Sequence, residues 1–305
     1  MKYDVVGLGV STVDLLMVVD ELPGSELVQK AHATAVAGGG PVATALVALA
    51  RLGAKTAMLD RLGDDLFGRM IIEEFGREGV DTSGIAIAQG KSSSHASILV
   101  RRRDGARAIT FAPGDSGELD AADLPADTIR AARILHLNGR HWDASLCAAQ
   151  IAREAGGLVS FDGGSHRFQQ AHHELMRLVD ICIVAEQYAT AYTGVADPQG
   201  AAQQLLMVGP KIVVVTCGTA GSYVTSISGE FFHQPAFNVV PVVDTTGAGD
   251  AYHGAFLFGI ARGLSLRETA EYASAAGAIN TTALGGRAAL PNCSRLTDLL
   301  NSTLL

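Results

Sequence analysis

From Asp127 onward, apolar strand-like runs and helix-like stretches take turns along the chain, and this alternation restricts the fold more than any other feature. Ile134–Leu137, Leu158–Phe161, Ile181–Val184 and Ile212–Thr216 are short runs of β-branched and apolar residues. Helical spacing appears near Asp143–Glu154, His172–Val179, Glu186–Tyr192 and Gly200–Val208. Strands alternating with helices pack as a parallel sheet covered on both faces. The expected fold class is therefore α/β, with a doubly wound, mostly parallel sheet. Ser222–Ser226 and Glu230–Pro235 add an antiparallel edge, and the chain closes on two helices. The first, Ala251–Arg262, stops at Gly263; Ser265 caps the second, with Glu268 three residues on completing a capping box.

The amino-terminal part begins in the same way. Val5–Gly9 reads as a buried strand, and Val10–Val19 continues extended. Pro41 suits the first turn of a helix that runs to Gly53. A strand over Thr56–Leu62 and a helix over Phe67–Glu78 follow. Ser97–Arg102 and Arg107–Phe111 then flank the turn Asp104-Gly105, which predicts a hairpin. Together with the extended segments of 10–36, the stretch 92–112 is expected to form a small β-sheet lid inserted in one domain spanning 1–305. Arg101-Arg102-Arg103 reads as edge charge that blocks unwanted strand pairing, or as one inward arginine facing an anion.

Composition bounds the function. The 305 residues are 48% hydrophobic and 18% charged, enough for a large core and against disorder. A net charge of −8 disfavours nucleic acid as a partner. The absence of a long apolar run argues against a membrane span and of a leader pattern against secretion. Cys147, Cys182, Cys217 and Cys293 form no CxxC pair, so reduced thiols in a cytoplasmic protein are expected.

Two glycine clusters carry the chemistry. Asp244-Thr245-Thr246-Gly247-Ala248-Gly249-Asp250 directly precedes a helix. Free amides and partial positive charge at a helix start hold an anion, and Asp250 beside them can take a proton from an attacking hydroxyl. A base with donors for the transferred group is what phosphoryl transfer requires; a glycine-rich turn with an aspartate near the helix start is the alternative. Gly38-Gly39-Gly40 opens another helix, either as a flexible turn or as backbone that hugs a polyhydroxyl substrate. Asp14 sits among apolar neighbours, where a bare carboxylate is costly. Arg140 and Asp162 each follow a strand at its carboxyl end, where ligands gather in open α/β sheets; for Asp162, substrate contact and a plain turn remain open. Nine histidines form no HxH or HExxH set, so His253 reads as a core or surface residue.

On GGGPVATALVALARLGAKT (Gly38–Thr56), RLGDDLFG (Arg61–Gly68) and VVDTTGAGDAYHGAF (Val242–Phe256), the chain resembles the PfkB, or ribokinase-like, carbohydrate kinases over essentially its whole length. LHLNGRHWD (Leu135–Asp143), HQPAF (His233–Phe237) and GGRAALPNC (Gly285–Cys293) are most similar to the ketohexokinase and sulfofructose kinase branch. The resemblance implies a kinase that uses ATP and Mg2+ to phosphorylate a hydroxymethyl group of a ketose or furanose. It implies Asp250 as base and the amides of Gly247, Ala248 and Gly249 as anion hole. Asp14, Gly38 and Gly39 would contact the sugar, and Arg140 the substrate or its transferred phosphate. Thr216, Gly218 and Gly221 would shape the nucleotide loop, and Asn280 would border the adenine pocket. Asp244 and Thr246 fall where family members hold a monovalent cation such as K+ through carbonyl oxygens. Ala43 stands where many members have a sugar-binding Asn, and the magnesium-linked NxxE motif reads Ala185-Glu186-Gln187-Tyr188, keeping Glu186. Val28 and Phe111 stand near the residues that hold a sulfonate, with Lys30 close by.

A nucleoside kinase and a phosphosugar or sulfosugar kinase are the nearer alternatives. An NAD-dependent dehydrogenase is the remote one, because Gly7-Leu8-Gly9 approaches a GxGxxG start, yet Thr12 replaces the third glycine. The exposed edges of the lid suggest a homodimer formed through it.

Overall fold

The computed structural model of the protein describes residues 1–24 and 28–302. The part of the 10–36 expectation that falls on residues 25–27 lies outside them. The strands are β1 (Tyr3–Leu8), β2 (Thr12–Val19), β3 (Ala33–Gly39), β4 (Thr56–Gly63), β5 (Val80–Ala88), β6 (His95–Arg101), β7 (Arg107–Ala112), β8 (Ala132–Leu137), β9 (Leu158–Gly164), β10 (Ile181–Ala185), β11 (Ile212–Thr216), β12 (Ser222–Ser226) and β13 (Phe231–Gln234). The helices are α1 (Pro41–Arg51), α2 (Leu66–Glu78), α3 (Ala126–Arg130), α4 (Trp142–Glu154), α5 (His172–Met176), α6 (Glu186–Thr193), α7 (Pro198–Leu206), α8 (Ala248–Arg262), α9 (Leu266–Asn280) and α10 (Cys293–Ser302).

Nine strands make one sheet in the order β13-β12-β11-β10-β9-β8-β1-β4-β5, parallel except for β12 and β13. The apolar runs follow from burial on both faces. In β11, Val213 and Val215 join the layer containing α4, α6 and α7, while Val214 between them joins the layer containing α1, α8 and α9. The capping box of α9 forms as expected, with Ser265 N donating to Glu268 Oε2 at 2.9 Å and Glu268 N to Ser265 Oγ at 3.3 Å. Two elements had no clear pattern: β5 carries a register shift where it pairs with β4, and α10 buries only Leu296.

A second, four-stranded sheet, β3-β2-β6-β7, comes from two separate stretches, as the hairpin signals implied. Its arginine run is neutralised at the rim: Arg101 pairs with Asp104, Arg102 with Asp20 and Arg103 with Glu21. The tip of the hairpin docks on the main domain, where Arg107 Nη1 donates to Thr245 Oγ1 at 2.7 Å and Thr245 Oγ1 donates to Gly105 O at 3.2 Å.

Gly7 and Gly9 do not serve a dinucleotide. A Cβ at Gly7 would strike Val42 and Leu46, and one at Gly9 would strike Val42, so both glycines let α1 lie close on β1. The element after β1 is β2 instead of a helix, which removes the dehydrogenase alternative. All four cysteines are free thiols. Among the described residues no helix is long and apolar enough to cross a membrane.

Helix α8 runs through the interior and packs on α1. Gly254 is the contact point: a Cβ there would lie 2.6 Å from Ala45 O and 2.7 Å from Ala48 Cβ. Gly76 in α2 has nothing within 4 Å of the same position. Gly254→Ala should therefore destabilise by about 1–3 kcal/mol from overpacking, despite the better helix propensity of Ala. Gly76→Ala should stabilise by roughly 0.5–1 kcal/mol. Urea unfolding of the two variants checks the opposed signs.

Candidate active site

The carboxyl ends of β1, β8, β9, β10 and β11 open into a cleft of about 950 Å³, roofed by the second sheet. Thr12, Asp14, Gly40, Asn138, Arg140, Asp162, Glu186, Thr216, Gly218, Gly247, Gly249 and Asp250 all line it. This is where a ligand is expected in an open α/β sheet.

The loop of residues 244–250, the candidate catalytic loop, is shaped by its own side chains. Asp244 Oδ1 accepts from Thr246 N at 2.8 Å and Oδ2 from Gly285 N at 2.9 Å, so both carboxylate oxygens are used to fold the turn. Gly247 then adopts φ 72°, a left-handed conformation that favours glycine. Its Cβ position is blocked by Gly286 O, so no side chain fits. Among the described residues, the amides of Gly247, Gly249 and Asp250 have no partner in the protein. Ala248, expected in the anion hole, instead turns its amide to Thr245 O at 3.4 Å and does not line the cleft. The free amides at the start of α8 form an anion-binding end beside Asp250.

Asp250 is flanked by a second carboxylate. Asp162 accepts from Gly164 N at 2.7 Å and from Arg167 Nη2 at 3.1 Å, and His253 Nε2 lies 3.5 Å away. Burial alone would raise Asp162, but interaction with His253 and Arg167 and the amide of Gly164 outweighs it and holds the carboxyl down, at about 2. Enclosure by the cleft walls, with the negative charge of Asp162, pushes Asp250 up to about 7.

Asp14 stands at the other side of the cleft, 6% exposed, with Oδ1 accepting from Thr12 Oγ1 at 2.8 Å. Burial raises its proton affinity. Gly39 packs directly under this carboxylate, where any Cβ would collide with it. Gly38 faces away, against Glu74 and Arg287, because successive strand residues point to opposite sides. Ala43 is fully buried one turn into α1, outside the cleft lining.

Other expected residues also lie elsewhere. Asn280 is fully buried and braces the catalytic loop, donating from Nδ2 to Thr246 O at 3.3 Å and Gly286 O at 2.9 Å. Gly221 caps the turn after β11, behind Thr216 and Gly218, packed on Gln234 O. Glu186 lines the cleft, with Gln187 Nε2 on its Oε1 at 3.0 Å.

Sequence reasoning missed two kinds of residue. Asp60 and His141 form a buried pair: His141 Nδ1 accepts from Leu119 N at 3.0 Å, so its Nε2 donates to Asp60 Oδ1 at 2.9 Å. That pair fixes the loop carrying Asn138 and Arg140, and only the fold joins residues so far apart in sequence. Arg107 and Arg167 line the cleft with Arg140; Arg107 follows the hairpin turn and was visible there as a strand residue.

A model of the pfkB family carbohydrate kinases matches residues 2–293. The chain belongs to this family. It is therefore a sugar kinase, and its fold is ribokinase-like. It is 32% identical to a probable fructokinase-7 of Arabidopsis thaliana, covering 94% of this chain and 91% of that protein. The structure of an Arabidopsis thaliana ribokinase complexed with ribose and ATP superposes with a TM-score of 0.85 at 25% identity, covering 98% of this chain and 99% of the other. An adenosine kinase from Sinorhizobium meliloti gives a TM-score of 0.86 at 27% identity, covering 99% and 100%.

A base must be ionised to accept a proton, and the raised proton affinity of Asp250, about 7, gives that role a signature. With Asp250 as base, kcat/KM should rise with pH to a plateau, with its acid limb near pH 7. Removing the neighbouring charge with Asp162→Asn should lower the proton affinity of Asp250 and move that limb to lower pH. A pH–rate profile of both proteins reads the shift; an unmoved limb removes the coupling.

Proposed function

We propose that the chain transfers the γ-phosphoryl group of ATP to a hydroxymethyl group of a ketose or furanose, with fructose the first candidate. The observation that carries this reading is the meeting, in one cleft, of Asp250, the unpartnered amides of Gly247 and Gly249, and Asp14 across from them. Asp14 and the backbone at Gly39–Gly40 would bind sugar hydroxyls. Asp250 would take the proton of the attacking hydroxyl, and the amides would hold charge on the transferred group. Thr216, Cys217 and Gly218 would bound the nucleotide.

Mg2+ prefers oxygen ligands and keeps several waters, and Glu186 on the cleft wall fits that demand. When bound with the nucleotide it would offset negative charge on the phosphates. K+ at this loop would meet mainly carbonyl oxygens, since each carboxylate oxygen of Asp244 already accepts an amide hydrogen bond. The lid contributes Ala96, Ile98, Ile109 and Phe111 to the cleft, an apolar roof that would keep water from competing as acceptor.

A phosphosugar or sulfosugar acceptor is a second reading, favoured by Arg107 and Arg140, which line the cleft with no carboxylate partner among the described residues. The apolar roof and the likeness to an adenosine kinase support a nucleoside as a third acceptor class for the same test. The outer lid face exposes Met17 (46%) and Val36 (56%), which supports pairing of two chains through it. Light scattering should give twice the chain mass, and Met17→Lys with Val36→Lys should return it to the monomer; a wild-type monomer would remove the pairing.

ADP release with a panel of ketoses, pentoses, phosphosugars and nucleosides tests the acceptor, with fructose or another neutral ketose expected to lead. Asp250→Asn should keep the fold and ATP affinity while losing on the order of 100-fold or more in kcat. Asp14→Ala should raise KM for the sugar and leave KM for ATP nearly unchanged. Wild-type turnover in the first variant, or the reverse KM pattern in the second, overturns these assignments.

A further inference from the structure

Beneath the base lies a group of side chains that phosphoryl transfer does not require. His136 on β8, Asp162 at the end of β9 and His253 on α8 are all buried, and one ligand atom from each lies within 4.8 Å of the others. Register explains the first two. His136 pairs with Ser160, so Asp162, two residues further on, shares its face of the sheet, and α8 covers that face with His253 one turn beyond Asp250.

The hydrogen bonding leaves these atoms open. His136 Nδ1 meets Ser160 Oγ at 3.1 Å, whereas His136 Nε2 is buried with no partner. A hydroxyl can accept from Nδ1–H, and in that tautomer Nε2 keeps its lone pair, the usual state of a metal-bound imidazole. His253 Nδ1 is also buried without a partner, while Nε2 lies 3.5 Å from Asp162 Oδ1. Gly164 N and Arg167 occupy Oδ1 of Asp162, and Oδ2 has no partner among the described residues. An unpartnered buried polar atom is costly, and each of the two imidazoles leaves one such nitrogen beside the Asp162 carboxylate. Burial keeps His136 neutral, its proton affinity down at about 3.

We propose that His136, Asp162 and His253 form a binding site for a divalent transition metal of the Zn2+ class, distinct from the Mg2+ that accompanies the nucleotide. Two imidazoles and one carboxylate suit Zn2+, whereas Mg2+ selects oxygen. Tetrahedral bonds of about 2.0–2.2 Å put ligand atoms about 3.4 Å apart, so atoms as far as 4.8 Å from one another must close by about 1.4 Å. Asp162 and His253 line the cleft, so the ion has an entry path and a fourth position open to water. An occupied site would place a cation behind Asp250 and Arg167, so metal level would modulate the kinase.

The test is binding to the chelator-treated full chain without ATP or sugar, so it stands apart from the acceptor assignment. One equivalent of Co2+ should produce the visible absorption bands of a four-coordinate site. Zn2+ should displace it, and millimolar Mg2+ should not. His136→Gln and His253→Gln should each weaken binding at least 100-fold with unfolding midpoints of the metal-free proteins near wild type. Crystals soaked in Zn2+ should show an anomalous peak between the three side chains, a measurement that needs no variant. Absence of stoichiometric binding, binding that survives both substitutions, or an anomalous peak only at other side chains overturns the proposal.

Discussion

The close contact of α8 with α1 governs where everything else in the cleft can stand. At Gly254 the two helices approach until a single methyl group would not fit. Both helices begin at the cleft, α1 after Gly40 and α8 after Gly247. Their packing therefore fixes the distance between Asp14, seated on Gly39, and the free amides and Asp250 across the cleft. Arg287 reinforces the arrangement from the carboxy-terminal loop. It donates to Gly39 O at 2.6 Å and Thr44 Oγ1 at 3.1 Å and pairs with Glu74 at 3.2 Å. A buried guanidinium satisfied on three sides holds the start of α1 against the loop that also carries Gly286, the residue packed under Gly247.

That rigid frame brings two carboxylates of unlike character together. Asp162 has His253, Arg167 and the Gly164 amide to hold it ionised, while Asp250 has enclosure and a negative neighbour. The asymmetry suits a base, since a carboxylate with ordinary proton affinity would be ionised but weakly basic near neutral pH. The same frame accounts for the buried histidines, because the face of the sheet that presents Asp162 to α8 also presents His136.

Legibility in the sequence followed the range of the interactions. The parallel sheet, the lid hairpin and the capping of α9 were readable because alternation, Asp104-Gly105 and Ser265 with Glu268 are local signals. The catalytic loop was readable because a glycine run before a helix exposes its amides whatever lies around it. β5 was not, since it carries a register shift and Gly84 under Leu59 in place of a clean alternation. The family resemblance placed Asn280 at the adenine pocket, yet its amide bonds two carbonyls of the loop before α8. The Asp60–His141 pair and the His136–Asp162–His253 group join residues separated by tens of positions. No spacing rule signals them, because strand order in the sheet creates the contact.

The two halves of the cleft differ in what lines them. At the start of α8 the lining is peptide amides, set by loop and helix geometry, with the Asp250 carboxylate beside them. Opposite, it is mainly side chains: Asp14, Ile98, Ile109, Phe111, Arg107 and Arg140, on the second sheet or the loop after β8. The hairpin tip of that sheet reaches the catalytic loop through Arg107 and Thr245. On the proposed reading, the acceptor is chosen by side chains on a roof separate from the main core, while backbone geometry fixes the amides at the start of α8. The charge and shape of that roof, apolar at Ile98, Ile109 and Phe111 and basic at Arg107, would then decide which acceptor this chain takes.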